Sequence, residues 1–290
     1  MHEHNKGILL LILTTFIFAI QDSVTKLLAG QLPVFQFLGI RYLVFFLFAL
    51  WWTTRKRPLK QVLVVKHHSL QLLRGVLLGL ESLLFAWTLK HLGIAQMYSI
   101  FVSFPLIVTA LSPLILKEPV GFWRWIIITI GFIGAIIIIA PGSINFTIYS
   151  LFALGCAALY ALYNILTRFV SKTDHTDSSL LYTGLMAAAI NAPFLPFVWK
   201  PLTGYTAFLI LLLCALGLLS HYLMIVALKL TPAVILQPFN YFTLPWALLL
   251  GVLLFGETIP LQQLSGAALV VASGLVVAYY QTQNKYTKLS

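Results

Sequence analysis

Apolar residues follow this chain in ten long runs, and short polar, proline-containing or glycine-containing breaks separate each run from the next. An α-helix needs about 20 mainly apolar residues to cross the hydrocarbon core of a bilayer, and the runs have about that length. The pattern therefore predicts ten membrane-spanning helices. We place spans 1 to 10 at residues 7–29, 33–53, 70–90, 94–116, 121–140, 147–168, 178–200, 206–229, 232–255 and 260–282.

The composition excludes a water-soluble protein. Hydrophobic residues account for 60% of the 290 positions and charged residues for 9%, whereas soluble domains carry about 25% charged residues. The charges are too few to cover a surface that faces water, so membrane lipid is the expected surrounding. The first apolar run is long and lacks a small-residue cleavage site, so we interpret it as a retained span and not as a signal peptide.

Lysine and arginine residues predict how the helices are oriented. An even number of spans places both termini on the same side of the membrane. If that side is the cytoplasm, fourteen of the 18 Lys and Arg residues lie in inner loops or at inner span ends, and three lie outside: Lys26, Lys90 and Lys200. Because basic residues concentrate on the cytoplasmic side, we expect a multi-pass protein of the cell (inner) membrane with both termini in the cytoplasm. The net charge of +11 then reflects orientation, and no nucleic-acid partner is expected.

Two pairs of charged residues recur at one spacing. Lys90 and Lys229 are 139 positions apart, and so are Glu118 and Glu257. In each half, an apolar stretch interrupted by proline joins the lysine to the glutamate. The early segment FAIQDSVTKLL also has a counterpart in ALYALYNILTRFV, at an offset of 142 positions. These landmarks predict that a five-span unit has been duplicated.

An odd number of spans in each unit has a topological consequence. The second copy, residues 142–290, enters the membrane with the opposite polarity to the first copy, residues 1–141. We therefore expect an all-α integral membrane protein whose two five-helix repeats have inverted topology around a central cavity. Such folds bind their solute near the midplane of the bilayer, between the repeats.

The same landmarks carry a resemblance to a known family. The early Asp22, Thr25 and Lys26 stretch, Arg41 near the start of span 2, span 4 ending in LSPLILKEP, and span 9 ending in LLLGVLLFGE resemble the EamA-type transporters of the drug/metabolite transporter superfamily. The resemblance covers the whole chain. It implies a cavity lined by spans 1, 3, 4, 6, 8 and 9, with spans 5 and 10 bracing the outside.

Asp22 and Arg41 are charges at membrane depth, where ionisable groups usually face a cavity or a partner. Each lies about seven or eight residues inside its span, so about 10 Å deep. At an offset of 142 their counterparts are Asn164 and Thr183, so both charges disappear together. That favours an Asp22–Arg41 pair. A pair with Lys26, one helical turn away, and a direct contact with substrate are the alternatives.

Glu81 is a carboxyl group in the middle of span 3, with no basic residue within one helical turn. In a dry site such a group favours its protonated form near neutral pH. Glu81 is therefore a candidate proton carrier, or a countercharge for an ammonium group on the solute. Spans 3 and 8 are expected to face each other, which would bring His221 close to Glu81 as a proton-coupling pair. A structural hydrogen bond between helices is the alternative.

Aromatic and amide side chains are frequent in spans 4 and 9. Tyr98 and Phe101 in span 4, with Gln237, Asn240 and Tyr241 in span 9, are predicted to build an amphipathic pocket for the solute. Ordinary packing is the alternative for any one of them. Prolines are expected to bend both spans, because each removes a backbone hydrogen bond; they are Pro105, Pro113, Pro238 and Pro245.

The function expected from these features is secondary active transport by alternating access. No GxxxxGK[ST] segment is present, so protons or exchange would supply the energy. The resemblance implies export of an amino acid or a related metabolite, with exchange or uptake of a cationic or zwitterionic solute such as S-adenosylmethionine as the alternative. A membrane enzyme is disfavoured because HExxH and GxSxG are missing, and a non-transporting subunit would not need two repeats. We expect no cofactor and no metal, and a monomer or homodimer.

Overall fold

The computed structural model describes residues 2–117, 121–139 and 147–286, and the regular structure in these parts is helical throughout. One 3-10 turn, Ala192–Phe194, joins two of the helices. The α-helices in the described parts are α1 His2–Ala29, α2 Val34–Lys56, α3 Leu59–Val62, α4 His68–His91, α5 Ile94–Phe101, α6 Phe104–Ile115, α7 Phe122–Ile139, α8 Ile148–Ser171, α9 Thr176–Asn191, α10 Leu195–Val198, α11 Gly204–Leu230, α12 Ala233–Asn240, α13 Thr243–Phe255 and α14 Leu261–Tyr286.

Seven helical segments in the described parts are long and apolar enough to cross a membrane, and they correspond to predicted spans 1 to 4 and 6 to 8. The chain is therefore a multi-pass membrane protein, as the composition indicates. The segments are Asn5–Ala29, Val34–Lys56, His68–His91, Ile94–Ile115, Ile148–Ser171, Thr176–Val198 and Gly204–Leu230.

The other three predicted spans are not confirmed at full length, so the count of ten stays a prediction. Span 5 corresponds to α7, but its last predicted residue, 140, lies outside the described residues. Span 10 falls within α14. Span 9 is divided into α12 and α13, each shorter than the seven segments above.

Proline explains where spans 4 and 9 divide. The helix is interrupted at Val102 and Ser103, just before Pro105, and again at residues 241–242, just before Pro245. Each proline then occupies the first turn of the new helix, where its missing N–H would have no partner in any case. At Pro105 and Pro245 the expected bends therefore take the form of interruptions, whereas Pro113 lies inside α6 and Pro238 inside α12.

The helices pack in pairs that cross between the two halves of the chain. α1 lies along α11, α4 lies along α8, α2 lies along α9 and α7 lies along α14. Close approach of α2 and α9 depends on Gly184, since a Cβ atom there would lie 3.0 Å from the Cα atom of Phe46. Small residues at such points let helices in a bilayer gain contact area.

Large apolar side chains cover much of the outer surface of the bundle, as expected where the solvent is lipid. Leu9, Leu211 and Leu253 are each 68% exposed, although they lie within helices. The interior instead holds many buried polar side chains. The polar groups that a solute would need are therefore concentrated on the inner helix faces.

Candidate functional site

A cavity lies between the two halves of the chain. Its walls come from α1, α2, α4, α5 and α6 on one side and from α8, α11, α12 and the start of α13 on the other. Its free volume is about 50 Å³, room for a few waters and far below the roughly 300 Å³ of a small ligand pocket. The protein must therefore change shape to admit an organic solute.

Seven of the ten candidate residues from the sequence line this cavity: Asp22, Arg41, Glu81, Tyr98, Phe101, His221 and Asn240. The implied set of lining helices is largely reproduced, with span 2 added through Leu38 and Arg41. A role for these side chains in solute binding stays a prediction.

The structure places the other three candidates away from the cavity wall. The amide of Asn164 donates to the carbonyl oxygen of Tyr160 at 2.8 Å, which satisfies it within its own helix. The amide oxygen of Gln237 accepts a hydrogen bond from Asn240 at 3.1 Å. Tyr241 is packed in the hydrophobic core. None of the three is among the residues that line the cavity.

Other lining residues were not among the candidates. Gln21, Ser82, Phe85, Tyr160 and Thr243 all contribute to the wall. Tyr160 lies one helical turn before Asn164 on α8, and residues four apart share a helix face. The repeat segment that singled out Asn164 therefore contained the signal for Tyr160.

Asp22 is held by neutral donors. The hydroxyl of Tyr98 donates to its carboxylate, and the amide of Gln21 donates to it at 3.4 Å. Tyr98 comes from α5, so this contact joins α5 to α1 at the cavity wall. These bonds partly replace the water that the buried carboxylate loses, and the charge of Arg41, on the same cavity, also favours it.

Neither of the two ion pairs expected for Asp22 forms as a direct contact. Among the described residues, neither Arg41 nor Lys26 has a nitrogen atom within 4.0 Å of the Asp22 carboxylate. Lys26 lies nearer the end of α1 and pairs instead with Glu257, 231 positions away. Lys26 is long enough to reach past the end of its own helix, which sequence spacing alone does not reveal.

Replacing Tyr98 with phenylalanine is expected to destabilise the fold, because Asp22 would keep only its long bond from Gln21. Leaving a buried carboxylate short of a donor costs about 1–3 kcal/mol. Tyr160→Phe is the matched control, since its hydroxyl donates to the thioether sulfur of Met224 at 3.1 Å, a weak acceptor. Thermal unfolding in detergent should show a larger drop in Tm for Tyr98→Phe, and equal drops for the two variants would contradict this.

Arg41, His221 and Glu81 face the same cavity without forming the predicted proton-coupling pair. Arg41 Nη2 lies 3.5 Å from His221 Nε2. Glu81 accepts a long hydrogen bond of 3.4 Å from the hydroxyl of Ser82. No direct bond between Glu81 and His221 is found in the described part of the chain, because α4 packs mainly on α8 and α9 while α11 packs mainly on α1.

Glu257 forms the centre of a second polar site, which we call the Lys26–Glu257 clamp: Lys26, Glu257 and the backbone amides of Ile94 and Ala95. Besides the ion pair, the carboxylate accepts N–H bonds of 2.8 Å from Ile94 and 2.9 Å from Ala95, at the start of α5. A helix N-terminus favours a negative charge. Burial opposes ionisation of Glu257, but the bonds from Lys26 and the two amides outweigh it and lower its pKa.

Comparison with known proteins agrees with this architecture. The sequence model of the EamA-like transporter family matches residues 5–140 and again residues 147–279. A solved crystal structure has the same fold, with a TM-score of 0.69, 18% sequence identity and coverage of 98% of both chains.

Curated relatives are transporters. The chain is 28% identical over 286 residues to a riboflavin transporter of Vibrio cholerae serotype O1, covering 97% of this chain and 96% of that protein. It is 28% identical over 221 residues to a riboflavin transporter of Brucella anthropi, covering 74% and 78% of the two chains. It is 22% identical over 288 residues to an S-adenosylmethionine uptake transporter of Rickettsia prowazekii, covering 97% and 95%.

Both halves of the sequence, the helical bundle around a shared cavity and the named relatives lead to the same assignment. The protein is a membrane transporter and not an enzyme. The chain belongs to the EamA-like transporter family, within the drug/metabolite transporter superfamily.

Proposed function

We propose that this transporter is a secondary carrier for a small amphipathic metabolite with a flat heteroaromatic ring. The observation that carries the proposal is the mixed lining of the cavity. Phe85, Phe101, Phe104 and Tyr160 supply ring faces and edges, with Phe101 and Tyr160 centred 5.3 Å apart. Charged and amide groups line the same space, so one solute can stack on rings and hydrogen-bond at its edge.

Inverted repeats and alternating access are part of this proposal. The packing supports them. In the proposed repeat, span 1 (α1) corresponds to span 6 (α8), and span 3 (α4) corresponds to span 8 (α11). The first span of each half packs on the third span of the other half: α1 on α11, and α8 on α4. The interruptions before Pro105 and Pro245 also correspond between the halves. Such reciprocal contacts are what a pseudo-two-fold axis in the membrane plane produces, and rocking of one half against the other then exposes the cavity to each side in turn.

The Lys26–Glu257 clamp is the closure of the outer end in this scheme. It joins α1 and α5 to the segment after α13, so it ties the two halves together at one end of the cavity. With both termini in the cytoplasm, as the positive residues favour, this end faces outward. The described state is then closed on the outside.

Riboflavin is the first substrate to test, because the riboflavin transporter of Vibrio cholerae is 28% identical over nearly the full length of the chain and the S-adenosylmethionine uptake transporter of Rickettsia prowazekii is 22% identical. S-adenosylmethionine is the second candidate, since Asp22 and Glu81 bring two carboxyl groups to the cavity and favour a cationic solute. Uptake is the direction that the Rickettsia prowazekii relative's name favours. Amino-acid export, implied by the family resemblance, ranks behind both.

Transport into proteoliposomes tests the proposal. Purified protein should accumulate radiolabelled riboflavin above protein-free liposomes, and an excess of unlabelled riboflavin should compete more strongly than S-adenosylmethionine or leucine. Phe85→Ala should lower the rate about tenfold by removing a ring from the cavity, whereas Phe208→Ala, at an exposed lipid-facing position, should not. Accumulation of radiolabelled S-adenosylmethionine but not of riboflavin would assign the second substrate, and accumulation of leucine alone would contradict the proposal.

A further inference from the structure

Two nitrogen atoms that belong to cavity-lining residues have no hydrogen-bond partner in the described part of the chain: Arg41 Nε and His221 Nδ1. Both residues line the cavity, and they are only 3% and 2% exposed. Buried polar groups are nearly always paired, so each exception calls for a physical reason.

The Arg41–His221 contact fixes which nitrogen of the ring carries hydrogen. A guanidinium group has donors only, so Arg41 Nη2 donates across the 3.5 Å to His221 Nε2, which must accept. A neutral imidazole then carries its hydrogen on Nδ1. Both unpaired atoms are therefore N–H donors, and both lack an acceptor.

Arg74 shows how the same fold satisfies a buried guanidinium group that is not among the cavity-lining residues. Arg74 is fully buried and donates at 3.1 Å to the hydroxyl of Thr167 and at 2.9 Å to the carbonyl oxygen of Ser179. It also donates to Gln71 at 2.9 Å and to Tyr163 at 3.4 Å. Arg41 has no such set, and no carboxylate lies within 4.0 Å of it in the described ranges.

Gly217 allows the Arg41 side chain to lie directly against α11. A Cβ atom at position 217 would be 2.9 Å from Arg41 Nε and 3.3 Å from its Cζ atom. Gly217 lies one helical turn before His221 on the same helix. The glycine therefore sets the position of the guanidinium group beside the imidazole, at the wall of the cavity.

We infer that Arg41 and His221 form the donor half of the solute site and bind an oxygen acceptor of the solute. Asp22 and Glu81, on the same cavity, provide the acceptor half. The solute class is then one in which a carbonyl or carboxylate oxygen lies beside an N–H group. The imide edge of a flavin has this chemistry, and so does the α-amino-acid end of S-adenosylmethionine. The inference rests on the proposed function, because it names the polar edge of the same solute.

Equilibrium binding of radiolabelled solute to the purified protein in nanodiscs tests the inference. The probes are riboflavin and S-adenosylmethionine, each paired with an analogue changed at the polar edge: N3-methylriboflavin, which lacks the imide N–H, and decarboxylated S-adenosylmethionine, which lacks the carboxylate. The variants are Arg41→Gln, Arg41→Lys and Gly217→Ala. Gly155→Ala is the control, since a Cβ atom there would make an ordinary contact of 3.6 Å with Leu84.

The expected result is a loss of about tenfold or more in affinity for Arg41→Gln and Arg41→Lys, with a smaller loss for Gly217→Ala and none for Gly155→Ala. Gly217→Ala keeps every donor and only displaces Arg41, so it tests the inference even if the Arg41 variants fail to fold. If the solute is riboflavin, N3-methylation should also weaken binding to the wild type. If the solute is S-adenosylmethionine, its decarboxylated analogue should bind the wild type more weakly. The wild type and Arg41→Gln should then bind this analogue with equal affinity.

Two results would overturn the inference, and they are distinguishable. Unchanged affinity in folded Arg41→Gln and in Gly217→Ala, with tight binding to the wild type, would remove Arg41 from the site and leave the proposed function in place. Absence of wild-type binding to both riboflavin and S-adenosylmethionine would remove the proposed function and this donor site together.

Discussion

Glu257→Gln is expected to open the outer end of the cavity, so that a cysteine placed at position 25 becomes reactive from outside the cell. The substitution removes the charge that Lys26 neutralises, and it turns one oxygen that accepts from Ile94 or Ala95 into an N–H₂ donor. One of the two N–H groups at the start of α5 would then face a donor. We expect the labelling rate of Thr25→Cys by a membrane-impermeant thiol reagent to rise about tenfold or more, since charge-assisted bonds contribute about 1.5–3 kcal/mol each.

Lys26→Gln should raise the same labelling rate. The double variant Lys26→Gln, Glu257→Gln should be labelled only slightly faster than either single variant, because the two side chains act as one pair. Asp177→Asn is the control. It removes the Lys56–Asp177 ion pair, at 3.5 Å and partly exposed, and pairs of that kind contribute little. Native Cys156 and Cys214 are both buried and can be replaced by serine in every variant. Equal labelling of Thr25→Cys with and without Glu257→Gln would remove the clamp from the account.

The pH dependence of the clamp follows from the lowered pKa of Glu257. A carboxylate with a lowered pKa contributes stability that is fully present above the ordinary glutamate value. That contribution declines as the pH falls below the ordinary pKa of glutamate. It is lost once the pH has fallen through the lowered pKa of Glu257 in the folded protein. In the wild type, the labelling rate at position 25 should therefore be the same at pH 7 and at about pH 6, after correction for the reactivity of the thiol.

Glu81→Gln is expected to abolish solute movement driven by a pH gradient and to leave exchange of solute for solute intact. Glu81 is buried at the cavity wall, with its long bond from Ser82 and no cation within 4.0 Å among the residues described. Burying a carboxyl group in such a place costs far less free energy when the group is protonated than when it is charged. It can therefore take up a proton on one side and release it on the other, which glutamine cannot.

Proteoliposomes separate the two activities. Gradient-driven uptake is measured into solute-free vesicles with an imposed pH difference, and exchange into vesicles preloaded with unlabelled solute. Ser82→Ala is the control, because it removes the donor beside Glu81 and keeps the acid. The other carboxyl group and the imidazole on this cavity, Asp22 and His221, remain in every variant, as do Arg41, Tyr98 and Tyr160. If Glu81→Gln still follows the pH gradient at the wild-type rate, Glu81 is not the proton carrier.

The membrane fold was largely predictable from the sequence because long apolar runs have few alternatives in a bilayer. Two of the four prolines that were expected to bend spans 4 and 9, Pro105 and Pro245, follow an interruption, but Pro113 and Pro238 lie inside helices. The depth of a charged residue follows from its distance to the end of its run. The span positions and the depth of a charged residue are local properties, so the pattern of apolar and polar residues along the chain is enough to predict them.

Partners across the bundle were not predictable in the same way. Asp22 was expected to pair with Arg41 or Lys26, which are near it in sequence or in depth. It bonds instead to Tyr98, 76 positions away, and Lys26 bonds to Glu257. Which face of a helix meets which neighbour is decided by packing of the whole bundle, and a chain this apolar gives weak facial patterns. The repeat located Glu257, but its counterpart Glu118 lies outside the described residues.

Access to the cavity from each side of the membrane is the measurement closest to the central claim. Thr243 lines the cavity and is 6% exposed, and a cysteine at this position can be labelled in a background without native cysteines. In right-side-out and in inside-out vesicles, an impermeant thiol reagent should label Thr243→Cys from both faces, with a bound solute slowing both reactions. Labelling from one face only would contradict a carrier whose two halves expose the same cavity in turn.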